Sequence, residues 1–290
     1  MKASDFTYHR PSSAQELAGL LASLENAKVL AGGQSLMPMM NLRLLAPEHL
    51  IDINKIPGLA GIRRDGDVIE IGAMTRQVDV LESEIIAKDL PVLKAALEHV
   101  GHVQTRSRGT FGGSCCHLDP AAEQPALCRL LDAEFRVNGA RGIRVVQAAD
   151  WFQGMLESAL AEDEFLEAIR IKPWTGSYGC GFEEYARRHG DFAIAGAAAM
   201  LAVDETQSIT RAALMIFGVE ASPARLANAE AALVGTKLPD LDVAIVTSAA
   251  RGLEAMSDVH VSADYRSHLG SVMIKRALLK ATQHLTGSST

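Results

Sequence analysis

Nowhere in these 290 residues is there a Cys-x-x-Cys pair, a Gly-Lys-Ser/Thr phosphate loop or a GxGxxG fingerprint. Nor is there a run of about twenty uninterrupted apolar residues, so no membrane span is expected. The four cysteines, Cys115, Cys116, Cys128 and Cys180, lack metal-site spacing. That argues against an iron-sulfur or zinc site in this chain, and reduced, partly buried thiols are the expectation. Lys and Arg number 28 against 35 Asp and Glu, a net charge of -7. Phosphate-backbone binding relies on clustered cations that this chain does not show, so nucleic acid is not an expected partner. The opening stretch MKASDFTYHRPSS has no apolar region of the secretory kind, which makes a cytoplasmic protein the expectation. No Ser-His-Asp, Cys-His or paired-carboxylate signature occurs, so no catalytic residue and no metal ligand is assigned.

What is present is apolar and patterned. Hydrophobic residues make up 48% of the chain, enough for a sizeable core. A prior of roughly 150 residues per domain suggests two or three lobes. Residues 4 to 58 read as strand, helix, strand, glycine turn and strand. Ser13-Ala14-Gln15-Glu16 fits a capping box before Leu17, Leu20, Leu21 and Leu24, Lys28 to Leu30 is a short strand, and Leu50 to Ile53 is another. Pro57-Gly58 closes this lobe. Asp65-Gly66-Asp67 before Val68 to Ile71 predicts a hairpin, and Val92, Leu93, Ala96, Leu97 and Val100 follow helical spacing. Gln124 to Leu131 reads as a helix, and Phe135 to Val137 with Ile143 to Val146 as a hairpin. Pro173-Trp174-Thr175-Gly176-Ser177 marks a boundary. Beyond it come a strand from about Phe182 to Ala186, strands near Ala197 to Val203 and Ile209 to Phe217, and a helix carrying Leu269, Val272, Met273, Leu278 and Leu279. Lobes are therefore expected over 1–58, 59–175 and 176–290. Strands and helices mix without βαβ alternation, which indicates the α+β class.

Two segments stand out: Ala31-Gly32-Gly33-Gln34-Ser35 and Thr110-Phe111-Gly112-Gly113-Ser114. Each is Gly-Gly closely followed by a hydroxyl residue. Without a Cβ, successive N–H groups can converge on an anion, and two such turns could hold a pyrophosphate with no cationic side chain. By turn chemistry alone, a tight turn with no ligand is the competing explanation.

In this order and spacing, AGGQSLMPMMNLRL, LIDINKIPGL, TRSRGTFGGSCCHLDPAAEQPA and FEEYARRHGDFAIAGAAAML resemble the FAD-binding medium subunit of molybdenum-containing hydroxylases. That family includes the carbon monoxide dehydrogenase flavoprotein and the FAD domain of xanthine dehydrogenase. SDVHVSADYRSHLGSVMIKRAL is similar to its C-terminal helix entry. The resemblance implies a two-lobed PCMH-type FAD-binding fold followed by a C-terminal α+β domain. It implies that Ala31, Gly32, Gly33, Gln34 and Ser35 face Thr110, Phe111, Gly112, Gly113 and Ser114 across the FAD pyrophosphate. Ser114 replaces the family's usual asparagine, and Ser107 an asparagine before Arg-Gly-Thr; a serine can still donate one hydrogen bond. Glu123 stands where an aspartate often meets ribityl or ribose hydroxyls, with a helix-start glutamate as its other reading. Leu166 matches a position packed near the flavin ring, its other reading an ordinary buried leucine. Some relatives place a lysine near the flavin; Glu183 aligns there, and that role is not carried over.

For the remaining residues structural roles are expected. Asp191 would fix a turn, and Arg106 and Arg108 would be solvated or brace a turn. His117 is read as a neutral loop histidine, and Met37, Met39 and Met40 as packing residues. The resemblance also implies a large partner with a molybdenum-pterin cofactor, a small partner with 2Fe-2S clusters, a dimer of heterotrimers and an external electron acceptor. A stand-alone FAD oxidase or reductase, and an assembly subunit that has lost flavin, are the rival readings.

Overall fold

The computed structural model describes residues 2–287. The first strands form a small parallel sheet in which His49–Asp52 lies between Thr7–His9 and Ala27–Leu30. The helix Ala14–Ser23 begins where the capping box predicted, with the Ser13 hydroxyl accepting the Glu16 N–H at 3.1 Å. The return contact is shifted by one residue: Glu16 accepts the Ser12 N–H at 2.7 Å. Leu17 and Leu21 pack inward with Ile51, Ile53 and Phe165, tying this lobe to the next.

The second lobe is built on a five-stranded antiparallel sheet in the order Ile62–Asp65, Val68–Gly72, Glu164–Ile171, Glu134–Gly139, Gly142–Gln147. Both expected hairpins are in it. Ile69, Ile71, Phe135 and Val137 face the core, with the helices Pro91–Leu97 and Glu123–Leu130 against them. Alternation turns Glu70 and Arg136 to the opposite face, where they pair at 2.9 Å.

The last lobe is a four-stranded antiparallel sheet of Tyr178–Tyr185, Ala195–Val203, Ile209–Phe217 and Ala224–Arg225, covered on one face by the helix Ala263–Thr286. Its other face supplies Ala198, Met200, Met215 and Phe217 to the second lobe's core, so that core runs on past residue 175. The first strand starts at Tyr178, earlier than expected. Gly179 and Gly181, within this strand, are where the long helix touches the sheet. A Cβ on Gly181 would meet the Ala277 carbonyl oxygen and, at 2.7 Å, the Lys280 Cβ.

The sequence reading did not anticipate the helices Gln77–Glu82, Glu84–Asp89 and Val103–Arg108. It also took Thr110 to Ser114 for a turn, whereas Phe111–His117 is a helix running through both glycines. No helix among the described residues is long and apolar enough to cross a membrane. Gly181→Val should destabilise the chain by on the order of 3 kcal/mol, because backbone cannot retreat as a side chain can. The check is the urea unfolding midpoint, and an unchanged midpoint would refute the close approach.

Candidate functional site

The strand Ala27–Leu30 delivers the chain to Ala31, and Gly33, with φ +74°, turns it into the short helix Leu36–Asn41. The neighbouring strand ends at Asp52, and Asn54 then folds back, its Nδ2 donating to the Ala31 carbonyl at 2.8 Å and to Asp52 Oδ1 at 2.7 Å. Tyr8 donates its hydroxyl to the other Asp52 oxygen at 2.5 Å, and these bonds hold the Asp52 carboxyl below its usual range even though burial opposes them. The entry to the first glycine segment is thereby fixed. Within it, Gln34 Nε2 bonds back to the Gly32 carbonyl at 3.1 Å. Among the described residues, the backbone N–H groups of Gly32, Gly33, Gln34, Ser35 and Leu36 have no protein acceptor. The segment is partly exposed. Buried backbone donors are nearly always paired, so a run of five free ones at an accessible bend is a surface prepared for an acceptor.

The second glycine segment has the opposite character. Thr110 caps the helix, accepting the Gly113 N–H on its hydroxyl at 3.1 Å and the Ser114 N–H on its carbonyl at 3.2 Å. Phe111 and Gly112 donate to the Thr75 and Ala73 carbonyls, both at 2.9 Å. Gly112 stacks so closely on Ala73 that an added Cβ would come within 2.5 Å of the Ala73 Cβ. Two glycines in a helix cost about 1 kcal/mol each relative to alanine, and tertiary packing has overridden that cost. This segment is a wall, not a nest of donors.

The two segments meet. A Cβ on Gly32 would collide with the Arg108 carbonyl oxygen and lie 2.8 Å from the Gly109 Cα, while Ala31 and Gly113 are also neighbours. Ala31 to Ser35 and Thr110 to Ser114 thus form one constellation, in which Gly113 and Ser114 are partly exposed. Thr110, at 2% exposure, and the buried Phe111 and Gly112 support it from behind. Glu123 and Leu166 are buried at 7% and 4%. Leu166 belongs to the main core and pairs with Val137 beside a bulge, so its side chain has almost no open surface. Glu123 is held well above the usual carboxyl range, first by burial and then by the charge of Glu184 on the adjacent strand. Burial pushes Glu184 up to about 7. Burial thus disfavours the ionised form of Glu123, the form that would serve best as an acceptor.

With the geometry in hand, comparison with known proteins is decisive. The model of the FAD binding domain in molybdopterin dehydrogenase matches residues 4–174, and that of the CO dehydrogenase flavoprotein C-terminal domain matches residues 181–281. The chain belongs to the FAD-binding family of molybdopterin dehydrogenases. Within this flavoprotein family it is 37% identical to the 6-hydroxypseudooxynicotine dehydrogenase complex subunit alpha of Paenarthrobacter nicotinovorans, over 97% of this chain and 96% of that one. It is 38% identical to the carbon monoxide dehydrogenase medium chain of Afipia carboxidovorans, over 97% and 98%. The carbon monoxide dehydrogenase structure from Hydrogenophaga pseudoflava superposes with a TM-score of 0.94 at 37% identity, covering 98% of this chain and 99% of that one. The chain is an oxidoreductase subunit with an FAD-binding domain.

Among the flavoprotein's other residues, Arg106 braces a turn, donating to the Val100 and Gly101 carbonyls at 2.8 and 3.1 Å. Arg108 is exposed, and its guanidinium has no partner among the described residues. Asp191 lies in a turn, its N–H bonded to the Arg188 carbonyl at 3.1 Å. Cys115, Cys128 and Cys180 are buried and Cys116 partly so; all are free, with burial pushing Cys116 up to about 12 and Cys180 to about 11. The sequence reading did not single out Asp52, Asn54 and Arg76. The only local signal was an Asp and an Asn at the end of the apolar run Leu50-Ile51-Asp52-Ile53-Asn54, and nothing local pointed to Arg76.

The carboxyl pair predicts a pH dependence. The folded state keeps a proton that the unfolded chain releases above its ordinary carboxyl value. This contribution to stability is complete below that value and is lost as pH rises through about 7. Glu184→Gln should remove on the order of 2 kcal/mol of that decline. Thermal midpoints of both proteins from pH 5 to pH 8 check it; parallel curves would contradict the raised Glu184 carboxyl.

Proposed function

We propose that this chain is the FAD-binding medium subunit of a heteromeric molybdenum hydroxylase, passing electrons from 2Fe-2S clusters in a small partner to an external acceptor. A large partner would hold the molybdenum-pterin cofactor and perform the hydroxylation, the whole assembling as a dimer of heterotrimers. The single observation that carries this reading is the run of free N–H donors from Gly32 to Leu36, facing the helix that starts at Thr110, in a chain of this flavoprotein family.

When bound, FAD supplies the redox chemistry, accepting electrons on one side and releasing them on the other. This chain's residues bind and orient it. Gly32, Gly33, Gln34 and Ser35 would offer backbone donors to the diphosphate, with Ala31 holding the entry and Gly113 and Ser114 closing the far side. Thr110, Phe111 and Gly112 fix the position of that far side from within the core. Glu123 would lie beside the sugar hydroxyls, and Leu166 would limit the flavin ring's depth through backbone and apolar contact. No side chain of this chain needs to transfer a proton to substrate, because the substrate is oxidised elsewhere in the assembly. Carboxyl or hydroxyl groups here bind and position.

The test is to purify the complex from its host and measure flavin per chain together with the copurifying polypeptides. One FAD per copy with a large and a small partner is expected; an intact complex without flavin would overturn the reading. In the same preparation Gly33→Val, which forces a branched residue to φ +74° beside the free donors, should lose most of its flavin. Full flavin retention by this variant would remove the first glycine segment from the site.

A further inference from the structure

The glycine segments begin 79 residues apart in sequence, and a ligand between them needs them at one fixed separation. Side chains from outside both segments connect them. Arg76, half-buried at the start of the helix Gln77–Glu82, donates from Nη1 to the Arg108 carbonyl oxygen and from Nη2 to Asn54 Oδ1 at 2.6 Å. Asn54 in turn donates from Nδ2 to the Ala31 carbonyl at 2.8 Å. The result is an unbroken chain of three hydrogen bonds, running from the carbonyl just before Gly32 to the carbonyl just before Gly109. Its two ends are the places where the backbones touch, since a Cβ on Gly32 would meet the Arg108 carbonyl oxygen itself.

We propose that Arg76 and Asn54 act as one strap that sets the separation of the two glycine segments, and that FAD affinity depends on it while folding does not. The inference rests on the flavin reading above and deepens it by naming two positioning residues outside both motifs. Three features favour a positioning role over a merely structural one. Neither residue belongs to a hydrophobic cluster, so neither is needed to bury core. The acceptors at the strap's ends are the Ala31 carbonyl, inside the first segment, and the Arg108 carbonyl, two residues before the second, so the end bonds act on the two segments. The guanidinium is also an uncommon choice at this point, for burial and the neighbouring Arg108 charge both disfavour its ionised form. A forked donor compensates by bridging two acceptors at a fixed angle, which an ammonium cannot do. Without the strap, the segments would have to be ordered by the ligand, at the expense of binding free energy.

The experiment uses the full-length chain stripped of flavin and titrated with FAD, following flavin fluorescence and the rate of FAD release. The variants are Arg76→Gln, Arg76→Lys, Asn54→Ala and the double variant Arg76→Gln with Asn54→Ala. Each single variant should weaken FAD binding roughly tenfold, the loss expected for one charge-assisted bond. The double variant should be no weaker than Arg76→Gln alone within about twofold, as expected for two residues that act as a unit. The flavin-free unfolding midpoints should match the wild type in every case. Arg76→Lys with wild-type affinity would overturn the strap, because charge alone would then suffice. A double variant showing the product of the two single losses would overturn it as well, as would unfolding midpoints that fall in step with affinity. A wild-type chain that takes up no FAD would instead overturn the flavin reading, and wild-type uptake with unaltered variants would overturn the strap alone.

Discussion

Gly32 lies against the Arg108 carbonyl with room for a hydrogen atom and nothing larger. Much of the molecule can be understood as the means of holding that contact. On one side, a parallel three-stranded sheet aims Ala27–Leu30 at the bend, and Asp52 and Asn54, at the end of its central strand, grip Ala31 from below. On the other, the helix Phe111–His117 is seated on Ala73 and Thr75 through its first two N–H groups. Its far end is tied to the core by the Trp151 indole N–H, which donates to the Cys115 carbonyl at 2.7 Å while the ring stacks on Phe135 at 4.1 Å. Both glycine segments are thus anchored to sheets, and rigid elements hold a binding geometry better than loops do.

The five-stranded sheet bears this load, and its outward face is stiffened by charge. Glu70, with its side chain 6% exposed, is held between Arg63 at 2.7 Å and Arg136 at 2.9 Å, and Arg136 continues to Glu167 at 3.2 Å. An ion pair this buried adds little net stability over a well-packed apolar pair. Its value is therefore in fixing register. Glu167 also accepts the Ala73 N–H on its backbone carbonyl at 3.0 Å, so the network ends on the residue whose carbonyl receives Gly112. At the other edge Arg144 grips Glu164 at 2.6 Å and keeps it ionised down to about 2. Charge is placed where strand alignment matters to the site, and the interior between sheet and helices is left apolar.

Much of this was legible in the residues taken in order. Ser13 and Glu16 announced the first helix, Asp65-Gly66-Asp67 a hairpin, and Asn138-Gly139-Ala140-Arg141-Gly142 another; all depend on local chemistry that sequence records directly. The Gly-Gly pairs were equally visible as a shared feature, and in their wider context they led to the family. Their different roles were not visible. Identical dipeptides became an open run of donors at Gly32 and Gly33 and a helical start at Gly112 and Gly113, because among the described residues the Thr75 and Ala73 carbonyls accept from the second segment and no protein carbonyl accepts from the first. In the same way, only the approach of Ala277 and Ala281 accounts for Gly179 and Gly181 inside a strand.

By itself, the sequence determined part of the local grammar: several of the strands and helices, the first cap and two hairpins, and that two glycine segments of one family stand in this chain. Those properties follow from neighbouring residues and survive without any distant contact. The tertiary structure alone decided which donors stay free, that burial and Glu184 raise the Glu123 carboxyl, and that Arg76 and Asn54 bridge segments distant in sequence. Each of these depends on a partner brought in by folding, since burial, charge proximity and hydrogen-bond pairing are properties of assembled surroundings and are not carried by a residue alone.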